Sequence, residues 1–226
     1  MQELLVDLMP NVMSKLPVFG KSIIDTMVMV AWSGIISFAV GMVIGIGATV
    51  TKSGGILENK GVFQVLDKGI NFFRSIPFII LLAGLMPVSR LIMGTGIGVK
   101  GAIVPLIFGT VSFYSRQIEN ALAEVSHGLV EAAQAMGSSP IEIIFRVYLK
   151  ESIPAIARGT TLTVVSLVGL TAMAGAVGAG GLGDFAIRYG HDRNQMDVTY
   201  ATILVLVLIV SVIQLLGSYI AKKNTH

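Results

Sequence analysis

The chain contains no cysteine, which excludes a disulfide framework and thiol chemistry. Charge is also scarce: Asp, Glu, Lys and Arg make up 13% of 226 residues, about half the share in a typical soluble domain. That supply can cover a core but not a water-facing surface, so the bilayer must be the solvent for much of the chain. The three histidines, His127, His191 and His226, have no metal-ligand spacing, and H-E-x-x-H is absent. No serine, threonine or lysine sits in a catalytic motif, so no enzymatic activity is expected. The net charge of +3 is scattered singly through the chain without the basic and aromatic density of a nucleic-acid site. Residues 1–16 lack a basic segment ahead of an apolar run, so no cleavable signal is expected.

What the chain has in quantity is apolar residues, 54% of the total, with a mean hydropathy of +0.81. An all-α membrane protein follows, as a single transmembrane domain over 1–226. Stretches at 22–50, 69–89, 99–116, 155–179 and 198–220 are each near the length that crosses a hydrocarbon core, giving about five spans. An odd number places the termini on opposite sides. With the carboxyl terminus inside, Lys52, Lys60, Arg116, Arg146, Lys150, Lys222 and Lys223 fall on inner segments, and Lys68 and Arg158 near inner span ends. Lys15, Lys21, Arg90, Lys100, Arg188 and Arg193 fall outside. The cation excess favours this orientation, with the amino terminus outside. Small residues recur every fourth position in the first span (Ser33, Ser37, Gly41, Gly45, Thr49) and again at Ala172, Ala176 and Gly180. Such stripes let helix backbones approach closely. Packing within one subunit is the simpler use, and a dimer-forming or moving surface is the alternative.

The only long polar connection, 117–154, holds the most specific pattern. Leu129 to Met136 suits a short helix, and Gly137 suits the left-handed residue that ends one. Ser139 can cap a second helix, with Pro140 at its first position and Glu142 three residues after the cap, a capping box. Ile141, Ile144, Phe145, Tyr148 and Leu149 repeat at helical spacing, predicting one apolar face. Glu142, Arg146 and Lys150 lie on another.

Glu131-Ala132-Ala133, then Gly137, then Val147-x-Leu149 resembles the EAA loop of ABC-importer permeases. Val147 and Lys150 stand where that family has Ile and Pro. The segments NFFRSIPFIILL, KGAIVPL and GAVGAGGLGDF narrow the resemblance to the methionine-uptake permeases. The resemblance implies a type I ABC-importer permease with a cytoplasmic coupling helix between about Gly137 and Phe145. It also implies a bacterial inner-membrane location and a second copy of the chain as partner. A separate cytoplasmic ABC ATPase dimer would carry ATP and Mg²⁺, and an extracytoplasmic binding protein would deliver the solute. The chain lacks the G-x-x-x-x-G-K-[ST] phosphate loop and binds no cofactor of its own on this reading. Coupling residues would be Glu131, Ala132, Ala133, Met136, Gly137, Ser138, Ser139, Pro140 and Phe145.

Five further positions are candidates for the translocation path or its gate. Arg74 lies six residues into the second span, where an arginine is either functional or snorkels to the interface. Pro77 is a kink site. Gly178 and Gly180 belong to a glycine run after the fourth span. That run spells G-x-G-x-x-G, but it follows a membrane helix rather than a strand and is no dinucleotide site. Met173 precedes it, with gap-filling as the alternative role. Arg116 and Glu119, three apart, can pair across a helical turn. A quaternary amine or phosphonate is the rival cargo, and a quaternary amine would want an aromatic cage, against one tryptophan, Trp32. A stand-alone secondary transporter would want carboxylates inside the spans. Asp25 and Glu119 lie near span ends, and the central thirds hold none.

Overall fold

Apolar sequence in lipid can satisfy its backbone internally as helix, and the computed structural model is helical, with no strand among its described residues, 9–224. Residues 1–8 and His226, which entered the signal and metal readings, lie outside the described residues. A short helix α1 (Pro10–Met13) leads into α2 (Leu16–Thr51). Then come α3 (Lys60–Ser75), α4 (Phe78–Gly84), α5 (Met86–Met93) and α6 (Gly98–Ala123). The polar connection carries α7 (His127–Ala135) and α8 (Pro140–Ile143), and α9 (Ile153–Ala174) follows. The chain closes with α10 (Gly181–Phe185) and α11 (Met196–Lys223).

Four helices are long and apolar enough to cross a membrane: Leu16–Thr51, Gly98–Ala123, Ile153–Ala179 and Met196–Lys223. They contain the spans expected at 22–50, 99–116, 155–179 and 198–220. At 36 residues, α2 is about 54 Å long, well over a hydrocarbon thickness of roughly 30 Å, so it tilts or projects. The expected span at 69–89 is not one helix, and the cause is local. Pro77 has no N–H to donate and crowds the residue before it. Ile76 accordingly takes φ −87°, ψ 122°, and α3 stops. The backbone bends again at Leu85 (φ −91°, ψ 0°), just before Pro87 in the first turn of α5. Pro77 therefore breaks the helix rather than merely kinking it.

The described residues fall into two compact units, and each long helix contributes to both. One unit comprises the residues up to Ile35 with Pro77–Ile107 and Val164–Ile213. Its core packs Met29, Leu106, Leu167, Ala174 and Ala179 against Phe78 and Leu82. A second cluster joins Val12, Phe185 and Val198 with Phe19. At that end Asn11 donates its backbone and side-chain N–H groups to Asp197, at 2.9 and 3.1 Å.

The other unit comprises Ile36–Ile76, Phe108–Thr163 and the residues from Gln214. Tyr114, Ile118 and Leu122 on α6 bury against Val130 and Ala133 of α7 and against Ile143 and Tyr148. The small-residue stripe of α2 is used inside the chain. A Cβ on Gly45 would sit 2.6 Å from the Ser115 carbonyl oxygen, and one on Gly41 would sit 2.9 Å from the Tyr114 ring. Ser37 and Thr49 are buried.

Candidate functional site

α7 turns Val130 and Ala133 inward, both buried, while Glu131 and Ala132 face out. Alanine at 133 lets α7 lie close against the tyrosine-rich core beneath it. Glu131 pairs with His127 one turn earlier, at 3.0 Å. The helix then ends in a full C-cap. Gly137 takes φ +80° and donates to the Gln134 carbonyl at 2.9 Å, while the Ser138 N–H reaches the Ala133 carbonyl at 3.1 Å. These are the two bonds of a Schellman motif, which asks for a left-handed residue at this position.

Two residues later the chain starts again. The Ser139 backbone N–H and hydroxyl both donate to Glu142 Oε2 at 2.9 Å, and the Ser139 hydroxyl oxygen accepts the Glu142 N–H at 3.4 Å. The expected capping box is present, with Pro140 in the first turn. The Ser139 N–H, and after it the Ser139 hydroxyl, hold the Glu142 carboxyl below its ordinary value, and Arg146 at 3.8 Å adds to this.

The second helix does not present the single apolar face expected of it. Ile143 and Tyr148 are buried, whereas Ile141 and Phe145 are 68% and 66% exposed. The reason is a wide turn of i→i+5 type over Ile144–Tyr148. It brings residues five apart, Ile143 and Tyr148, onto one side, where ordinary helix would align residues four apart. With Met136, 80% exposed, Ile141 and Phe145 leave three large apolar side chains projecting from a rigidly capped polar loop. Apolar side chains grouped on a short polar loop have the chemistry to pack against another macromolecule. Ser138 is half-buried between the caps.

Of the path candidates, Pro77, Met173, Gly178 and Gly180 fall in one unit and Arg74 in the other. Arg74 sits exposed in the last turn of α3. Pro77 opens α4, whose Phe78 and Leu82 pack on the cluster holding Ala174 and Ala179. Met173, half-exposed at 48%, lies one turn before a break where Val177 and Gly178 leave helical geometry. Gly178 (φ +93°) and Gly180 (φ +84°) supply backbone angles that a side chain resists. Gly178 lines a cavity of about 30 Å³ with Leu82, Ile97 and Val177, room for about one water.

Three features escaped the sequence. The Arg116–Glu119 pair forms as expected, but Arg116 also reaches Asp67 at 2.7 Å and Asn71 at 2.9 Å, tying α3 to α6. Glu124 pairs with Arg158 at 3.2 Å. Thr26 on α2 accepts the Leu182 N–H at 2.8 Å, anchoring the start of α10. Pairs so far apart in sequence leave no periodic signal. Asp67 and Asn71, four apart on α3, were the one local hint.

Comparison with known proteins follows the same lines. The profile of the family described as "Binding-protein-dependent transport system inner membrane component" matches residues 41–226. A Vibrio cholerae protein named as a probable D-methionine transport system permease, MetI, is 45% identical over 202 residues, 89% of this chain and 90% of that one. A Bacillus subtilis methionine import system permease protein, MetP, is 41% identical over 172 residues, 76% of this chain and 78% of that one. A chain from an inward-facing crystal form of the MetNI methionine ABC transporter superposes with a TM-score of 0.91 at 39% identity, covering 94% of this chain and 99% of its own. A chain of an amino acid ABC transporter, at 16% identity and a TM-score of 0.78 over 95% of this chain and 98% of its own, shares the fold.

Proposed function

We propose, because this chain belongs to the family of binding-protein-dependent transport system inner membrane components, that it is the membrane-spanning permease subunit of an ATP-driven importer whose cargo is methionine. The observation that carries the cargo is the identity of 45% and 41% with permeases named for D-methionine and methionine transport. Trp32 is 59% exposed on α2 and takes part in none of the ring contacts among the described residues.

The working assembly on this reading is two copies of the chain and a separate ABC ATPase dimer that holds ATP and Mg²⁺, with an extracytoplasmic protein handing over the solute. The 117–154 connection is cytoplasmic, as is the carboxyl terminus, and the amino terminus is outside. Residues from the loop and Asn224 line one cavity, which supports a shared side for the loop and the carboxyl terminus.

The mechanism follows from linkage. ATP moves the permease only through contacts that differ between its two arrangements. Met136, Ile141 and Phe145 supply apolar contact to a groove on the ATPase, and Glu131, Ala132 and Pro140 stand exposed on the same loop, with Ser138 half-buried between the caps. Gly137 and the Ser139–Glu142 box keep that segment rigid, so that motion of the ATPase is delivered to α6 and α9 rather than lost in the loop. Ala133 seats the assembly on α6. In the other unit, the break at Val177–Gly180 and the start of α4 at Pro77 are the places where the path can open without unwinding a full helix. Arg74 stands on α3 ahead of that break.

Gentle detergent extraction of the tagged chain, with every co-purifying protein sequenced, tests the assembly. A stoichiometric partner carrying a G-x-x-x-x-G-K-[ST] loop is expected. Recovery of the chain alone, still moving solute in vesicles without ATP, would sink the importer reading in favour of a secondary transporter.

A further inference from the structure

α3 runs beside a span rather than along a surface. A Cβ added to Gly47 of α2 would come within 3.2 Å of the Leu66 side chain. Arg116 of α6 reaches Asp67 and Asn71 at 2.7 and 2.9 Å, and the Phe73 ring lies 5.1 Å from that of Phe108, also on α6. As α3 climbs from Asp67 to Phe73, its contacts on α6 move back from Arg116 to Phe108, so the two helices are antiparallel neighbours. α6 is long and apolar enough to cross a membrane, and Phe108 lies about 15 Å from its start and about 22 Å from its end. Arg74, next to Phe73, therefore stands at mid-span depth.

Three faces of α3 follow from its period. Phe63, Leu66, Ile70 and Phe73 are buried or half-buried. Val62, Val65 and Phe72 are apolar and exposed. Lys60, Gln64, Lys68, Asn71, Arg74 and Ser75 are exposed and fall within an arc of about 120°. Lys60, Lys68 and Arg74 make no ion pair among the described residues, and Asp67, at the edge of this arc, is held by Arg116 and Asn71. The arc is thus cationic along a helix about 24 Å long. Lipid cannot cover it, because its charges would lose their hydration at that depth. The same arc of a second copy cannot pack tightly on it, because cation would meet cation.

We propose that the polar arc of α3 is the wall of a water-filled vestibule, and that Lys68 and Arg74 make this wall a barrier to inorganic cations. Fixed positive charge beside confined water raises the cost of an entering cation and lowers that of an anion. A permease that opens a wet path gains from such a barrier, since sodium, potassium or protons would otherwise leak beside the solute. The use of the barrier rests on the importer reading, whereas the wet face of α3 does not.

The chain has no cysteine of its own, so single cysteines are clean reporters. Gln64→Cys and Ser75→Cys on the arc, with Val65→Cys and Phe72→Cys on the apolar face, are made in the full chain. Each is placed in lipid nanodiscs with any ATPase that co-purifies. Labelling rates are measured with an anionic (sulfonatoethyl) and a cationic (trimethylammonioethyl) methanethiosulfonate, each divided by its rate with free cysteine. Positions 64 and 75 should react at least about tenfold faster than 65 and 72, as water-facing against lipid-facing thiols do. At Ser75→Cys the anionic reagent should be favoured about fivefold or more, the scale of a potential of one or more kT. Adding Lys68→Gln and Arg74→Gln should abolish that preference, and Lys68→Glu with Arg74→Glu should raise potassium leak from proteoliposomes several-fold. Equal labelling of the two faces overturns the wet wall. Equal rates for the two reagents, a preference that survives the double glutamine change, or an unchanged leak overturns the barrier. Labelling needs neither ATP nor solute, so absent ATP-driven uptake would count against the importer reading alone.

Discussion

Gly137 is the residue on which the proposed coupling loop turns. Its φ of +80° costs a side chain about 1 kcal/mol or more, and its N–H is bonded to Gln134. Gly137→Ala should therefore loosen the loop by about 1 kcal/mol. Gly137→Pro should do more, because proline can neither reach that angle nor donate. Hydrogen exchange over 127–145, together with the yield of co-purified ATPase, reads both effects, and full protection with full ATPase recovery in the proline variant would contradict them. Ser139 and Glu142 make a second test. The Glu142 carboxyl is held below its ordinary value by Ser139, so its folded-state pKa lies under the unfolded one. The box then contributes fully above the ordinary carboxylate range and is lost as pH falls through the lowered folded value. Wild-type protection of 139–145 should fall on acidification, and Ser139→Ala should start lower and respond less.

At the scale of the element, the segment from Ser139 to Tyr148 has one buried side and one exposed side, the latter proposed to meet a partner. Ile143→Ala opens a hole beneath α6 and should destabilise the unit by about 2–5 kcal/mol, as large-to-small core changes do. Phe145→Ala and Met136→Ala remove exposed side chains and should leave stability within about 0.5 kcal/mol while reducing ATPase association. Thermal unfolding in detergent beside the co-purification ratio separates these outcomes, and equal ATPase recovery in all three variants would remove the contact assignment. The caps of this segment were legible because Gly137, Ser139, Pro140 and Glu142 act through neighbours within a few residues. The buried face was not, because the wide turn at Ile144–Tyr148 shifts the helical period and swaps Ile143 for Ile141. The same contrast holds in α2: its stripe of small residues was visible, but only the packing shows it meeting α6. Gly45→Leu, which would collide with Ser115 and Ile118, should lower the stability of the chain itself by about 1–3 kcal/mol without first dissociating a dimer. Multi-angle light scattering on the folded fraction checks this.

At the scale of the whole molecule, hydropathy alone revealed an all-helical membrane protein, since four of the expected spans fall within helical segments long and apolar enough to cross a membrane. The second was misjudged as one continuous helix because composition counts apolar residues and ignores the backbone constraint of Pro77. The result is a chain poor in charge and rich in lipid-facing helix. Three of its exposed apolar side chains, Met136, Ile141 and Phe145, stand on a short capped loop, and helices break at Pro77 and at Gly178. That division of labour suits a permease whose energy arrives from outside the chain. The most direct measurement is methionine uptake into proteoliposomes that contain this chain, its co-purified ATPase and the binding protein from the same cell. Uptake is expected only with ATP and Mg²⁺ and only with the ATPase present, and Phe145→Ala should diminish it. Equal uptake without ATP, or ATP-driven uptake that ignores methionine, would contradict the account.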